Sequence, residues 1–324
     1  MNSETLEKIK EECRKLPDDV SYIVGFVKKQ GEPREVLKVL KPDEIDRLSY
    51  SPLSFNNPAR IVMDLMKTDG KIAVIAKGCD ARALKQLEKE EKIERNRLYI
   101  IGISCPGVID YRKFRNAVKF RLPEIESVEL VGDEVIVKAN GEEQRIPFSE
   151  VIFENCLYCE QPTPKDYDVL IGEPREGKLD FSDIEEFEKL DREERWSYWM
   201  DVFSKCIRCH ACRQVCPLCY CEECLVDPSN LAVSPMTPAE EKAAYPRVLG
   251  KTVSASDNMV YHLIRVLHHA GRCAGCGECE RACPMELPLL KLERKLKKVV
   301  YEVFNYSPDE EIPFLSKLDI LPEG

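Results

Sequence analysis

The sequence predicts an N-terminal α/β domain with a partly parallel sheet, followed by an α-helical domain. Two apolar runs of strand type, Lys71–Lys77 and Arg97–Ile103, enclose a helix-forming segment, and this order is typical of parallel strands. From about Asp180 onward, amphipathic segments with the helical period replace the strand patterns. We expect domains at residues 1–178 and 179–306, and an extended tail at residues 307–324.

The other elements of the N-terminal domain follow from local patterns. Thr5–Leu16 and Pro58–Lys67 have helical character, and a proline suits the first turn of the second helix. Val20–Val27 is an apolar strand candidate, and Asp80 is a candidate N-cap for the helix between the parallel strands. Four further strands are predicted, the first two joined by a Gly-Asp turn: Ser127–Val131, Glu134–Lys138, Ile146–Phe153 and Asp168–Ile171.

The C-terminal domain is predicted to consist of helices around cysteine-rich loops. The helical candidates are Ile184–Phe203, Ser256–Ala270 and Leu290–Phe304. The segment Pro228–Thr252 is rich in proline and alanine and is predicted to be a loop.

Composition limits the classes of function. The 324 residues carry a formal net charge of −10 with lysine and arginine spread along the chain, which argues against nucleic acid or an anionic membrane as the partner. No apolar run reaches the roughly 20 residues that span a bilayer, and the charged first residues do not resemble a signal peptide. We therefore expect a cytoplasmic protein, whose 16 cysteines favour metal ligation over disulfides.

Two cysteine runs carry the strongest functional signal. CIRCHACRQVCP and CAGCGECERACP both have the spacing C-x2-C-x2-C-x3-C-P, which is typical of bacterial proteins with two [4Fe–4S] clusters. In that pattern three close cysteines hold one cluster, and the cysteine before the proline ligates the other cluster. The first cluster is therefore predicted on Cys206, Cys209, Cys212 and Cys283, and the second on Cys273, Cys276, Cys279 and Cys216.

The alternative interpretation of these runs is a pair of zinc sites. Zinc usually takes two C-x2-C pairs, whereas each run here has four cysteines and ends in proline. The long segment between the motifs and the predicted helices around them favour a helical dicluster ferredoxin domain over a compact ferredoxin β fold.

A third group of cysteines is predicted at one edge of the N-terminal sheet. Cys79 and Cys105 each follow a predicted parallel strand, so both emerge at the carboxyl edge, where open α/β sheets bind ligands. Cys156 and Cys159 follow the strand candidate that ends at Phe153. These cysteines suffice for a third [4Fe–4S] cluster, but burial as small apolar side chains explains Cys79 and Cys105 equally well.

The segments KGCDARAL, IIGISCPG and CLYCEQPTPKDYDVLIGE resemble the beta-subunit family of deazaflavin (coenzyme F-420) hydrogenases and formate dehydrogenases. The resemblance covers roughly residues 72–172. ERWSYW followed by KCIRCHACRQVCPLCYC is similar to ferredoxin modules fused to that family, as in heterodisulfide-reductase-type electron carriers. The resemblance implies that Cys79, Cys105, Cys156 and Cys159 bind a [4Fe–4S] cluster.

Flavin binding is a further implication of the resemblance. Members of the family usually bind FAD and reduce a deazaflavin or a similar hydride carrier. A glycine-rich flavin segment is expected before the first cysteine turn, but residues 54–65 contain no glycine pair. This departure argues against FAD, and the sequence leaves both alternatives open.

Three more cysteines, Cys219, Cys221 and Cys224, follow the first motif closely and predict an extra metal site. The site needs one more ligand, for which Cys13, His210 and a partner subunit are candidates. His268 and His269 precede the second motif, where they either tune a cluster by hydrogen bonding or stabilise a helix end.

We expect an iron–sulfur electron-transfer subunit of an oxidoreductase complex, without catalytic residues of its own, because clusters perform one-electron chemistry and no acid–base set is evident. Its expected partners are other subunits of a hydrogenase, formate dehydrogenase, flavin or heterodisulfide-reductase type. One alternative is a catalytic flavin subunit that exchanges electrons with a deazaflavin, a nicotinamide or ferredoxin. A zinc-binding interaction protein is the other.

Overall fold

The computed structural model describes residues 1–222, 224, 226 and 253–311, and these fall into two compact units. Unit 1 comprises Met1–Asp180 together with residues 274–276 and 308–311. Unit 2 comprises the described residues of Phe181–Cys273 and Gly277–Ser307. The predicted loop Pro228–Thr252 and most of the predicted tail lie outside the described residues.

Unit 1 is an α/β domain with two sheets. Its strands are β1 (Val20–Lys28), β2 (Glu35–Leu40), β3 (Lys71–Ala76), β4 (Leu98–Ile103), β5 (Ile125–Val131), β6 (Glu134–Ala139), β7 (Glu142–Pro147) and β8 (Val169–Ile171). The larger sheet has the order β2–β1–β3–β4–β8, in which β2 pairs antiparallel with β1 and all the other pairs are parallel. The smaller sheet is the antiparallel meander β5–β6–β7.

The helices of unit 1 are α1 (Ser3–Arg14), α2 (Ala59–Leu65), α3 (Gly78–Lys89), α4 (Tyr111–Ala117) and α5 (Phe148–Val151). The predicted parallel unit is confirmed as β3–α3–β4, in which Val74 lies opposite Ile100. The predicted N-cap at Asp80 is wrong by three residues. Lys77 is the N-cap, and the Asp80 carboxylate at the third helical position accepts a hydrogen bond from the Lys77 backbone N–H at 3.0 Å.

Two other predictions in unit 1 have clear outcomes. The hairpin over the Gly-Asp turn is confirmed by the pairing of β5 with β6. The predicted strand Ile146–Phe153 is wrong, because β7 ends at Pro147 and α5 follows directly. Pro147 has no N–H to donate to a continuing ladder, and its fixed φ suits the entrance to a helix.

The main core of unit 1 lies between α1 and the larger sheet. Ile9 and Cys13 of α1 pack with Ile23, Phe26 and Ile75 of the strands, and all five are at most 2% exposed. Cys13 therefore serves as a small apolar core residue, and burial raises the pKa of its thiol to about 12. The suggestion that Cys13 ligates a metal has no support in this environment.

The helices described in unit 2 are α6 (Ser182–Glu188), α7 (Arg192–Ser204), α8 (Ala211–Gln214), α9 (Ala255–His268), α10 (Glu278–Arg281) and α11 (Leu289–Phe304). The last two long helices predicted from the sequence are confirmed within two residues at each end. The predicted helix Ile184–Phe203 is instead two helices, because the Asp191 carboxylate accepts hydrogen bonds from the backbone N–H groups of Glu193 and Glu194 and starts a new helix. Among the described residues, no helix is long and apolar enough to cross a membrane.

Candidate metal centres

Four cysteines of unit 2 line one small cavity, which has a volume of about 20 Å³. They are the residues predicted for the first cluster: Cys206, Cys209, Cys212 and Cys283. Cys206, Cys212 and Cys283 are buried, whereas Cys209 is exposed. Cys283 belongs to the second motif, so the cavity brings the two motifs together, as an exchange of ligands requires.

The chain turns between these cysteines through left-handed backbone. Arg208 and His210 have φ angles of 50° and 60°. The equivalent residues of the second motif are Gly275 and Gly277, with φ angles of 69° and 76°. Positive φ is uncommon outside glycine, so its recurrence at the same two positions indicates that both motifs form the same loop. Each loop leads into a short helix, α8 or α10.

Two polar side chains from α9 reach the sulfur atoms of this cavity. The Nε2 atom of His262 lies 3.4 Å from the Cys206 Sγ atom, and the Tyr261 hydroxyl lies 3.6 Å from the Cys212 Sγ atom. Burial lowers the pKa of His262 to about 3, so the ring is neutral and carries a single N–H. Within the described part of the chain, its Nδ1 atom has no hydrogen-bond partner, which leaves the N–H on the side of Cys206.

The pKa values of two of these thiols are set by burial and by neighbouring charges. Burial raises the pKa of Cys206, the backbone N–H of Arg208 lowers it, and charge on the neighbouring Cys212 raises it again. Burial likewise raises the pKa of Cys212, which the Arg265 guanidinium lowers. Four thiols that line one cavity, two of them beside hydrogen-bond donors and one beside a buried cation, fit a sulfur-ligated metal centre. A [4Fe–4S] cluster and a zinc ion both accept such a donor set.

The cysteines predicted for the second cluster are distributed over both units. Cys273, Cys279 and Cys216 belong to unit 2, and Cys276 belongs to unit 1 with residues 274–276. The Cys216 thiol lies in a group with Cys219 and His269, whose ligand atoms are all within 4.8 Å of one another. The Nε2 atom of His269 is 3.1 Å from the Cys219 sulfur and 3.9 Å from the Cys216 sulfur.

A buried carboxylate orients His269. The Nδ1 atom of His269 lies 2.8 Å from Glu293 Oε1, and both side chains are 2% exposed. Burial lowers the pKa of His269, but the charges of Glu293 and Cys216 outweigh it and raise the pKa to about 9. The carboxylate fixes the orientation of the ring, and the protonated ring can donate its Nε2–H to the cysteine sulfurs.

The other extra-site candidates are placed apart from this group. Cys221 is exposed and Cys224 is half-buried, and neither belongs to the group formed by Cys216, Cys219 and His269. His210 lines the cavity of the first cysteine set instead, where its ring packs edge-on against Tyr261.

At the carboxyl edge of the larger sheet in unit 1, the structure gathers the third set of cysteines. Cys79 lies in the first turn of α3, Cys105 follows β4, and Cys156 and Cys159 lie in and just after a 3-10 turn at Glu154–Tyr158. Burial raises the pKa of Cys105 to about 12, and the charges of Cys156 and Cys159 add to this effect. Charge on Cys159 also raises the pKa of Cys79, after burial and the neighbouring Asp80.

Close backbone contacts hold the CLYC loop against the strand ends. The Cys105 N–H donates to the Pro162 carbonyl at 3.0 Å. Gly78 allows an even closer approach, because a Cβ atom at this position would lie 1.8 Å from the Gln161 carbonyl oxygen. The glycine–cysteine turn after β3 is therefore required for the loop that carries Cys156 and Cys159 to reach the sheet edge.

A buried lysine and a buried tyrosine lie behind these cysteines. The Lys77 ammonium is 2% exposed and lies 2.8 Å from Asp80 Oδ2, and it also donates to the Ser54 carbonyl at 3.2 Å. Burial raises the pKa of Tyr50, as do the charges of Cys105, Asp80 and Cys79. Within the described residues the Tyr50 hydroxyl has no hydrogen-bond partner. An orphaned buried donor and a buried cation beside four cysteines fit an anionic, sulfur-rich group.

The model for the C-terminal region of the family "Coenzyme F420 hydrogenase/dehydrogenase, beta subunit" matches residues 69–198. The matched segment contains all four cysteines of the sheet-edge set. This part of the chain is similar to the coenzyme F420 hydrogenase/dehydrogenase beta-subunit family. The two C-x2-C-x2-C-x3-C-P motifs lie beyond the matched residues, so the similarity to this family covers part of the sheet domain and the start of unit 2.

Two curated proteins are similar to this chain over most of its length. The F420-dependent formate dehydrogenase subunit beta of Methanocaldococcus jannaschii is 25% identical over 311 residues, which cover 78% of this chain and 77% of that protein. The F420-dependent formate dehydrogenase 1 subunit beta of Methanococcus maripaludis is 24% identical over 310 residues, with coverage of 76% and 75%. A chain of the F420-reducing [NiFe] hydrogenase complex from Methanosarcina barkeri matches with a TM-score of 0.35 and 16% identity, over 48% of this chain and 58% of that one.

Sequence reasoning did not find the supporting residues of these centres. Tyr261 and His262 reach the first cysteine set from α9, more than 45 residues along the chain from Cys206 and Cys212. They lie on a helix whose buried residues also include Asn258 and Arg265, and no spacing in the sequence marks them as neighbours of the cysteines. Lys77 could have been noticed as a lysine that ends an apolar strand directly before the glycine–cysteine turn.

Proposed function

We propose that this chain is an iron–sulfur electron-transfer subunit of a multisubunit oxidoreductase. The observation that carries the proposal is the cavity in unit 2 that Cys206, Cys209, Cys212 and Cys283 line together. Four sulfur donors from two motifs at one small cavity match the ligand exchange of dicluster ferredoxins. A cluster there supplies one-electron transfer, and the chain supplies its ligands and their environment.

In this proposal, the residues around the first cysteine set stabilise the negative charge of the sulfur ligands. The neutral His262 ring donates an N–H to the Cys206 sulfur, and the Tyr261 hydroxyl donates to the Cys212 sulfur. The Arg265 guanidinium is 3% exposed and opposes the negative charge of the thiolates. Hydrogen bonds to ligand sulfurs and nearby cations favour the reduced, more negative state of a cluster.

We assign the second cluster to Cys273, Cys276, Cys279 and Cys216, and a third to Cys79, Cys105, Cys156 and Cys159. The second assignment rests on the shared spacing and the shared loop conformation of the two motifs. The third is supported by the convergence of its cysteines at the sheet edge, with Lys77 and Tyr50 behind them. Together the three clusters would form an electron relay.

The curated relatives bear on the biological setting. Both are named as beta subunits of F420-dependent formate dehydrogenases, and each covers about three quarters of this chain. We therefore propose that this chain works as a subunit that passes electrons between an oxidoreductase partner and a second redox partner.

Anaerobic quantitation of iron, sulfide, zinc and flavin in the purified full chain tests the proposal. We expect iron and sulfide in equal amounts, sufficient for two or three clusters per chain, and a broad visible absorbance that bleaches with dithionite. A colourless protein that contains zinc and no sulfide would contradict the proposal. Flavin present at one per chain would instead favour a catalytic flavin subunit.

A further inference from the structure

One face of the helix α9 carries polar side chains toward the cysteines of both C-x2-C-x2-C-x3-C-P motifs. The Tyr261 hydroxyl lies 3.6 Å from the sulfur of Cys212, which belongs to the first cysteine set. His269 caps the end of the helix, and its Nε2 atom lies 3.9 Å from the sulfur of Cys216, which belongs to the cysteines predicted for the second cluster (the second cysteine set). Arg265 lies four residues from Tyr261 and four from His269. Residues four apart follow one another along one face of a helix, so Arg265 is placed between the contacts to the two sets.

The Arg265 guanidinium is buried among charges of both sets. Arg265 is 3% exposed, and its Nη2 atom donates to the Cys212 carbonyl at 3.4 Å. Burial lowers the pKa of Arg265, but neighbouring charges raise it well above its ordinary value, so the guanidinium stays protonated. These charges belong, in order of decreasing effect, to Cys279, Glu293, Cys216 and Cys212. Cys279 and Cys216 are members of the second set and Cys212 is a member of the first, so one cation faces thiols of both sets.

Two nitrogen donors of this guanidinium lack acceptors. Within the described residues, the buried Nε and Nη1 atoms of Arg265 have no hydrogen-bond partner. The Oε1 atom of Glu293 lies 3.5 Å from Nη1, but the same oxygen is already 2.8 Å from Nδ1 of His269. Buried donors without partners are rare in native proteins and often indicate a bound group that accepts from them. The sulfur atoms of bound clusters are such acceptors.

We propose that Arg265 is a cation shared by the first and second clusters, whose charge and N–H groups favour the reduced state of both. This inference rests on the proposed function, because it requires a cluster on each cysteine set. A cation beside one cluster alone would hold the electron at that cluster. A cation that acts on both favours reduction of each, so an electron can leave one cluster and enter the other with little change in energy. The exchange moves one electron and needs no proton or further reactant.

Redox titration of the full chain, purified without oxygen and followed by electron paramagnetic resonance, tests this inference. Arg265→Gln should shift the one-electron equilibria of both clusters toward the oxidised form by roughly tenfold, or about 59 mV, because one unit charge at about 10 Å has an effect of that size at an effective dielectric constant of about 20. Arg265→Lys keeps the charge and should recover most of the shift. His262→Phe removes a contact to Cys206 alone and should shift only the first cluster. Arg121→Gln, at an 83% exposed arginine of unit 1, is the matched control and should shift neither.

A measurement on the unchanged sequence does not depend on how the variants fold. In protein whose arginine guanidinium nitrogens are isotopically labelled, pulsed electron paramagnetic resonance should detect coupling to labelled nitrogen in the signals of both reduced clusters. Coupling in the signal of one cluster only would overturn the inference. A shift of one cluster alone in Arg265→Gln, or equal shifts in Arg265→Gln and Arg265→Lys, would also overturn it while leaving the proposed function in place. Protein that contains no iron would refute the proposed function and this inference with it.

Discussion

The ammonium of Lys77 lies 2.8 Å from the carboxylate of Asp80, and both side chains are fully buried at the sheet edge that carries Cys79 and Cys105. Burial lowers the pKa of Lys77, but charge on Asp80 and Cys79 outweighs this and raises it, so the lysine is held charged. A buried charge of this kind persists only where other charges and polar groups compensate for its lost hydration. Loss of either charge of this pair should therefore destabilise the domain that carries Cys79 and Cys105.

Replacing Lys77 with Met should lower the free energy of unfolding by about 3–5 kcal/mol, because the change leaves Asp80 as an uncompensated buried charge. Urea unfolding measures this loss. Lys67→Met is the matched control, since Lys67 is 80% exposed and its ion pair with Asp64 is worth at most about 1 kcal/mol. The double variant Lys77→Met/Asp80→Leu should recover part of the loss. Equal effects in the buried and exposed lysine variants would contradict the buried-pair interpretation.

A second buried carboxyl group, that of Glu35, makes the free energy of unfolding depend on pH. Glu35 is 4% exposed, and burial raises its pKa despite hydrogen bonds from Ser51 and Ser49. The folded pKa lies above the unfolded value of about 4.3. The contribution of Glu35 to folding stability is therefore fully present at pH values below about 4.3. The contribution is lost as the pH rises through the folded pKa.

Glu35→Gln removes this titration, so the stability of the variant relative to the unchanged protein should increase as the pH rises above about 4.3. The difference should level off once the pH exceeds the folded pKa of Glu35. Urea midpoints for both proteins at a series of pH values from about 5 to about 8 measure this difference. A difference that stays constant, or that falls with rising pH, would show that the pKa of Glu35 is not raised in the folded state.

Ligand exchange between the two motifs predicts which cysteine variants affect the same cluster. Cys283 lies 74 residues beyond Cys209 in the chain, yet both line the cavity of the first set. We expect Cys283→Ser and Cys209→Ser to diminish the same signal in electron paramagnetic resonance of the dithionite-reduced protein. Cys273→Ser should diminish a different one, and Cys221→Ser, at an exposed cysteine outside these sets, serves as the control. If Cys283→Ser removed the signal that depends on Cys273, the exchange would be refuted.

Much of this architecture follows from short-range sequence signals. The apolar runs around α3 predict β3 and β4, and the Gly-Asp turn predicts the hairpin of β5 and β6. Cysteine spacing alone predicts that Cys283 joins Cys206 and Cys209, because the spacing encodes a three-dimensional ligand set.

Features that depend on tertiary packing could not be predicted in the same way. β2 is an edge strand in which Lys38 and Val39 are exposed, so EVLKVL lacks the apolar run that identifies β3. The break before α7 depends on one capping aspartate, Asp191, within a segment that is otherwise helical. His262 and Phe203 meet only because α7 packs against α9, and no local pattern in either helix contains that information.

The closest backbone approach at the sheet edge supplies the last prediction. A Cβ atom at Gly78 would lie 1.8 Å from the Gln161 carbonyl oxygen, and backbone cannot move aside as easily as a flexible side chain. Gly78→Ala should therefore push the CLYC loop away from the strand ends and lower the free energy of unfolding by about 1–3 kcal/mol. The comparison variant is Gly31→Ala, where φ is +73° but no atom lies within 4 Å, so that only backbone strain of about 1 kcal/mol is added.

Iron content and urea unfolding of the two glycine variants distinguish backbone strain from displacement of the CLYC loop. Gly78→Ala should also lose the iron of the cluster proposed on Cys79, Cys105, Cys156 and Cys159, because these cysteines can no longer converge. Gly31→Ala should retain it. Full iron content in Gly78→Ala would contradict this prediction. It would mean that cluster binding does not need the close approach of the CLYC loop to the sheet, which the 3.0 Å hydrogen bond from Cys105 N–H to the Pro162 carbonyl marks.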